Sequence, residues 1–352
     1  MIKRKNSFFT VFILLGSMIV ASSCSSTVET SAELDESNAV EQEFIFSHFF
    51  PSSVPMETEV VQGFIADVDE VTDGAVKITS YPSNQLAQPD AHYDAAARGV
   101  VDMGYSVHSY RPGQFPLTSV LELPFISESA TQGAEIMWDL FDEFPELRAE
   151  YDDVELLWLA TSEPAQIYTT ETQVKQIEDL RGMRIRSPSM EVNQWLEEIG
   201  ATPVSMPMSD VYEALDRGVV DGMVGPTHTL LDYSLQNVID YVTVGNFYMT
   251  TFYGAMNQNS WHSLSDAHQT AIDDIKGRNM AMRIGAMHDA QSEEAIKTAK
   301  AAGVEFYELN EGEIEEWRER MQPAIDDWIK DKEERGLPGQ EIYDKAIEQN
   351  LN

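Results

Sequence analysis

The pentapeptide Arg-Gly-Val-Val-Asp stands twice in this sequence, as Arg98–Asp102 and as Arg217–Asp221, about 120 residues apart. Each copy follows a short segment of helical pattern that opens on a tyrosine, Tyr93 in one and Tyr212 in the other. The spacing is too long for a solenoid, whose repeats run about 20–50 residues. It is close to the length of a small domain, so the repeat predicts two lobes of similar build. Within each copy the arginine suits the last turn of a helix, where a cation meets the negative end of the dipole. The glycine suits the left-handed residue that ends it. The two valines read as the start of a buried strand. A junction of this kind is common in α/β proteins and needs no functional explanation. Its identical recurrence in matching context is what points to two lobes.

The surrounding pattern is α/β. "EFIFSHFF" alternates and stops at Pro51; residues 56–73 have apolar positions at helical spacing and stop at Gly74; "AVKITSY" alternates again. Strands alternating with helices predict open parallel sheets, whose ligands sit beyond the carboxyl ends of the strands. Those ends are His48 and the stretches "MGYSVHSY", with Tyr105 and Tyr110, and "GMVGPTHT", with Gly225 and His228. Two such ends facing each other make a cleft. Beyond Thr251 the chain becomes strongly helical. A break is expected within residues 264–303, and Pro323 is expected to interrupt the helix that follows.

The ends and the charge narrow the class further. Lys3, Arg4 and Lys5 precede a fourteen-residue apolar run, Phe8 to Ala21, short of the roughly 20 residues of a spanning helix. Small residues then lead to Cys24, the only cysteine. This resembles a bacterial lipobox, with Cys24 lipidated and the mature chain held at the membrane by that anchor alone, in the periplasm or at the cell surface. Ordinary cleavage near Ser22 and Ser23 is the alternative. A single cysteine leaves no intrachain disulfide. The acidic, aperiodic stretch that follows reads as a tether. With 23 Lys+Arg against 60 Asp+Glu the chain would repel phosphates, which argues against nucleic acid as a partner. The expected organisation is a signal segment at 1–23, a tether at 24–43, lobe I at 44–163, lobe II at 164–251, and a return to lobe I with helices spanning both lobes at 252–352.

No phosphate-binding glycine loop, serine-nucleophile elbow or zinc-helix motif is present, and no two of the seven histidines pair at ligand spacing. Nothing in the sequence asks for a cofactor or a metal. One cation stands out. Between residues 186 and 250 there are nine acidic residues and two cations, Arg186 and Arg217. Arg217 has its helix-end role. Arg186 closes the strand "MRIR" just before a helix, where ligands bind, and a guanidinium grips a carboxylate with two parallel bonds. Taken alone, Arg186 fits a structural ion pair equally well.

The stretches "VTDGAVKITSYPSNQLA", "AARGVVDMGYS", "FPLTSVLELPF", "EDLRGMRIRSPS" and "GATPVSMPMSDVYEALDRGVVDG" occur in this order. Together they resemble the extracytoplasmic solute receptors of TRAP transporters, the DctP-like family, over nearly the whole mature chain. The resemblance implies a two-lobed, periplasmic-binding-protein-like fold that closes on an organic acid. It also implies small and large membrane subunits driven by an ion gradient. The family's carboxylate-clamping arginine corresponds to Arg186. Other family positions depart: a pocket phenylalanine is Met208 here, an asparagine is Gly225, and a second arginine of sialic-acid receptors is Gln166. These departures imply a less polar pocket than sialic acid requires, with Met208, Phe247 and Tyr248 as candidates to touch an apolar or aromatic ligand body. An ABC-type receptor and an enzyme using the acidic cleft as acid and base are the rival readings.

Overall fold

A computed structural model describes residues 42–350; the signal segment, Cys24 and most of the tether lie outside the described residues. Among the described residues, eleven strands form two sheets: β1 (Gln42–His48), β2 (Val76–Tyr81), β3 (Met103–Val107), β4 (Val154–Thr161), β5 (Ala165–Thr169), β6 (Arg184–Ser187), β7 (Thr202–Ser205), β8 (Gly222–Pro226), β9 (Tyr241–Val244), β10 (Thr251–Asn257) and β11 (Glu305–Glu308). The first sheet has the order β2-β1-β3-β10-β4 and the second β11-β9-β5-β8-β6-β7. Each sheet is the centre of one lobe.

The sheets are mixed, not purely parallel. β10 runs antiparallel to both of its neighbours in the first sheet, and β5 does so in the second. The cause lies in the connections. The other strands aim their carboxyl ends at the cleft. β5 and β10 follow directly on short segments that cross between the lobes at the cleft, so each starts there and runs away from it; β11, reached through the long helix Arg278–Ala302, runs parallel to β9 instead. The crossing segments are joined to each other: Ser162 N donates to Thr250 O at 2.9 Å, Ala165 N to Tyr248 O at 2.7 Å, and Phe247 N to Ala165 O at 2.9 Å.

Both copies of the repeat adopt one geometry. Arg98 and Arg217 end their helices beside an acid one turn back, Asp94 and Glu213. Gly99 and Gly218 take φ of 69° and 64°, open to glycine at little cost. The valine after each glycine folds back, Val100 N to Ala95 O and Val219 N to Ala214 O, both at 2.8 Å. That turn leaves Val100 69% and Val219 49% exposed, so the strands begin later than the valine pattern suggests; only Val101 and Val220 are buried. Each aspartate then accepts from the backbone of a neighbouring parallel strand. Asp102 takes the Ile45 N–H at 2.8 Å and Asp221 takes the Arg184 N–H at 2.8 Å. The repeat is a staple that ends a helix and ties the next strand into its sheet.

The helical region breaks as expected, at Gly277 (φ 67°), whose N–H donates to Leu157 O. The helix Arg278–Ala302 packs so closely on the helix Ala130–Glu143 that a Cβ on Gly285 would lie 2.9 Å from the Thr131 Cα. Its Asp289 accepts from the backbone N–H groups of Ala130 and Thr131 at 2.7 and 3.1 Å, at the amino end of that second helix. The helix Glu311–Glu334 is continuous through Pro323, against expectation. It is held on both sides of the proline. Trp317 packs on Phe247 at 5.0 Å between ring centres, and Trp328 Nε1 donates to Ser119 Oγ at 2.8 Å. No described helix is long and apolar enough to cross a membrane.

The two aspartates are not equivalent in their surroundings. Asp102 is half-buried and also accepts from Ser260 Oγ at 2.5 Å. Asp102→Ala is expected to lower stability by about 1–3 kcal/mol, because the half-buried Ile45 N–H and the Ser260 hydroxyl lose their partner. Asp221→Ala, whose side chain is 37% exposed, should cost about 1 kcal/mol or less. Urea unfolding checks both; equal costs would contradict the difference in burial.

Candidate functional site

The carboxyl ends of β1, β3, β6 and β8 and the amino end of β10 meet around one cavity between the sheets. It is lined by Phe49, Phe50, Met56, Val107, Tyr110, Arg186, Pro188, Met208, Pro226, His228, Thr229, Asp232, Tyr233, Thr250 and Phe252, and its empty space is about 450 Å³. About half of the lining residues are Phe, Tyr or Met.

Arg186 is the central polar feature. It is the penultimate residue of β6 and is 2% exposed. Its Nε donates to Met206 O at 3.0 Å and its Nη1 to Val224 O at 3.2 Å. Two neutral carbonyls fix the guanidinium plane without neutralising its charge. Among the described residues, no carboxylate is within ion-pairing distance of Arg186. Glu122, a buried acid of the first lobe, does not supply the charge: burial and the neighbouring Glu191 carboxylate push its pKa up. A buried cation with no anionic partner is costly unless one arrives.

Tyr110 joins the lobes at the cavity. Its hydroxyl accepts from the Met208 N–H at 2.9 Å. Burial pushes its pKa up, partly offset by the nearby Arg186 charge. Tyr110→Phe removes this contact between lobes and is expected to weaken ligand binding up to about tenfold; calorimetry checks it, and an unchanged affinity would mean the bond does not favour closure.

A second polar group borders the cavity. Glu163, on the crossing segment, accepts from the His228 backbone N–H at 2.7 Å and pairs with His228 Nδ1 at 2.9 Å. The His228 ring lies flat on that of His288, with centres 4.5 Å apart and planes 4° from parallel. His288 Nδ1 donates to Thr161 O at 3.0 Å, which fixes its tautomer. Burial, with the His228 charge added, pushes His288 down to about 4, so it is neutral. Burial opposes charge on His228 too, but the Glu163 carboxylate outweighs it and holds the histidine above its ordinary value. Stabilisation from the charged His228 is therefore complete below its unfolded pKa of about 6.5 and is lost as pH rises through the folded value. NMR titration should find His228 above 6.5 in the wild type and lower in Glu163→Gln; no change would contradict the pairing.

The other sequence candidates fall in different places. Gln166 is fully employed inside the second lobe: Nε2 donates to Pro164 O and Asn246 Oδ1, and Oε1 accepts from the Gly245 and Asn246 N–H groups. Gly225 lies in β8 behind Arg186, where a Cβ would meet Met223 Cε at 2.6 Å. Phe247 and Tyr248 are buried against Trp195, away from the lining. Tyr105 donates to Met56 Sδ at 3.0 Å within the first lobe's core, and His48 pairs with Glu57 at 2.8 Å. Arg186, Met208, His228 and Tyr110 do line the cavity. Sequence reading passed over Phe49 and Phe50, although they follow β1 at its carboxyl end, where the rule for ligand sites already pointed. Asp232 and Tyr233 carried no such signal. Among the described residues, no group of three His, Cys, Asp or Glu could hold a metal ion.

Two sheets whose strand ends face each other across a cavity, with a buried unpaired arginine at its centre, define a two-lobed receptor for a small anionic solute. The chain belongs to the DctP family, bacterial extracellular solute-binding protein family 7, whose model matches residues 46–331. It is 26% identical to the outer membrane transporter protein TsaT of Comamonas testosteroni over 82% of this chain and 86% of that one. It is 25% identical to the C4-dicarboxylate-binding periplasmic protein DctP of Rhodobacter capsulatus over 80% and 85%. A TRAP solute-binding protein from a marine metagenome, specific for aromatic acids and solved with meta-hydroxyphenylacetate, has a TM-score of 0.85 and 31% identity, over 88% of this chain and 99% of that one. One from Rhodoferax ferrireducens, solved with copurified benzoate, has a TM-score of 0.84 and 25% identity, over 88% and 97%.

Proposed function

We propose that this receptor captures a small aromatic monocarboxylate and hands it to TRAP membrane subunits for uptake driven by an ion gradient. The observation that carries the ligand class is Arg186, a buried guanidinium without a carboxylate partner among the described residues, set in a cavity walled by Phe49, Phe50, Tyr233 and Phe252. The carboxylate takes the guanidinium's remaining donors and the ring packs on the aromatic walls. The benzoate and hydroxyphenylacetate found in the similar structures support the aromatic reading. A dicarboxylate fits less well. Its second charge would lie among phenylalanines and methionines, and the remaining cation, His228, is already matched by Glu163. On this reading Cys24 carries the lipid that tethers the receptor outside the cytoplasmic membrane.

Isothermal titration with benzoate and its hydroxylated relatives tests the clamp. Arg186→Ala should keep the fold and lose about 3–5 kcal/mol of binding. Arg186→Lys should recover only part of it, since a point charge cannot reproduce the planar fork. An Arg186→Ala affinity within twofold of the wild type would overturn the assignment.

A further inference from the structure

The cavity has a second polar end, separate from Arg186. His228 and Asp232 line the same cavity as Arg186, but among the described residues Asp232 makes no ion pair with Arg186. His228 and Asp232 are one helical turn apart, with Asp232 N donating to His228 O at 3.1 Å, so their side chains share a face. His228 Nδ1 is taken by Glu163, which leaves Nε2 as the ring's remaining polar atom. Asp232 is steadied by Gln291, whose Nε2 donates to Oδ1 at 2.5 Å. Thr229 Oγ1 is occupied, donating to Pro226 O at 2.6 Å. A donor and an acceptor thus stand side by side at the cavity wall.

We infer that His228 and Asp232 form a hydroxyl-reading subsite, and that the receptor selects aromatic acids with a ring hydroxyl remote from the carboxylate over the unsubstituted acid. This rests on the aromatic monocarboxylate reading above. The hydroxyl oxygen accepts from His228 Nε2–H and its proton is donated to an Asp232 oxygen. An unsubstituted ring leaves both groups desolvated and unmatched, and a site built to bond a hydroxyl rejects the analogue that lacks it. Glu163 acts through His228: it keeps the ring charged and oriented so that Nε2 donates. An ortho hydroxyl lies beside the carboxylate, at the Arg186 end, and gains nothing from this subsite.

The test is titration calorimetry of the wild-type receptor with benzoate and with 2-, 3- and 4-hydroxybenzoate. The 3- or the 4-isomer should bind about ten- to a hundredfold more tightly than benzoate, and the 2-isomer should not. In Asp232→Ala, and in Glu163→Gln, that ratio should fall below about threefold. Benzoate binding as tightly as all three isomers overturns the subsite and leaves the aromatic reading standing. An undiminished preference in both variants also overturns it, because the hydroxyl is then read elsewhere. Failure of all four acids to bind the wild type overturns the aromatic reading itself. The wild-type comparison decides the matter even where a variant does not fold.

Discussion

Everything about the cleft is arranged around the unpaired charge of Arg186. A guanidinium this deeply buried would ordinarily sit beside a carboxylate, and in a chain with 60 acidic residues such partners are abundant. None is placed there among the described residues. The carbonyls of Met206 and Val224 hold the side chain in place without lessening its demand for an anion. The surface of the protein repels anions at long range while this one site requires one at short range. On the reading proposed above, selectivity for carboxylates follows from that contrast, and the aromatic walls would decide which carboxylate is retained.

The reversed strands β5 and β10 give the cleft its construction. Because each begins at the cleft, the crossing segments beside them lie next to the cavity. They are bonded to each other there, between Ser162 and Thr250 and between Ala165 and Tyr248. Thr250 and Phe252 line the cavity, and Glu163, on the other crossing, grips His228 in its wall. The site and the connection between the lobes are thus built from the same few residues. A ligand that shifts His228 or Tyr110 acts directly on the parts that govern how the lobes meet.

Much of this was legible in the sequence because it depends on local rules. The repeated pentapeptide announced two lobes, and its arginine, glycine and aspartate each act in both copies as one motif. Arg186 could be placed at the cleft because the carboxyl ends of strands point there and few cations compete with it, and it does line the cavity. What was not legible depends on distant partners. Phe247 and Tyr248 read as ligand contacts from their position in the chain, yet Trp195 and Trp317 bury them from the other side. Gln166 read as a pocket residue until the turn at Gly245 and Asn246, eighty residues on, used up its amide. The valines of the repeat read as strand because their pattern is apolar, whereas the backbone turn after each glycine exposes the first of them. Sheet direction was misjudged because β5 and β10 have ordinary strand composition; their reversal comes from where the chain enters each sheet.

The helix Glu311–Glu334 touches both halves of the molecule, through Trp317 on Phe247 and through Trp328 on Ser119. Between those two anchors is Pro323, which has no N–H to give the carbonyl four residues earlier. An unbroken rod fastened at both ends would resist any change in the distance or angle between its supports. A rod with one rung missing from its ladder yields at that rung first. The proline that does not end this helix therefore leaves the strut, fastened at both ends, with one place where bending would cost least.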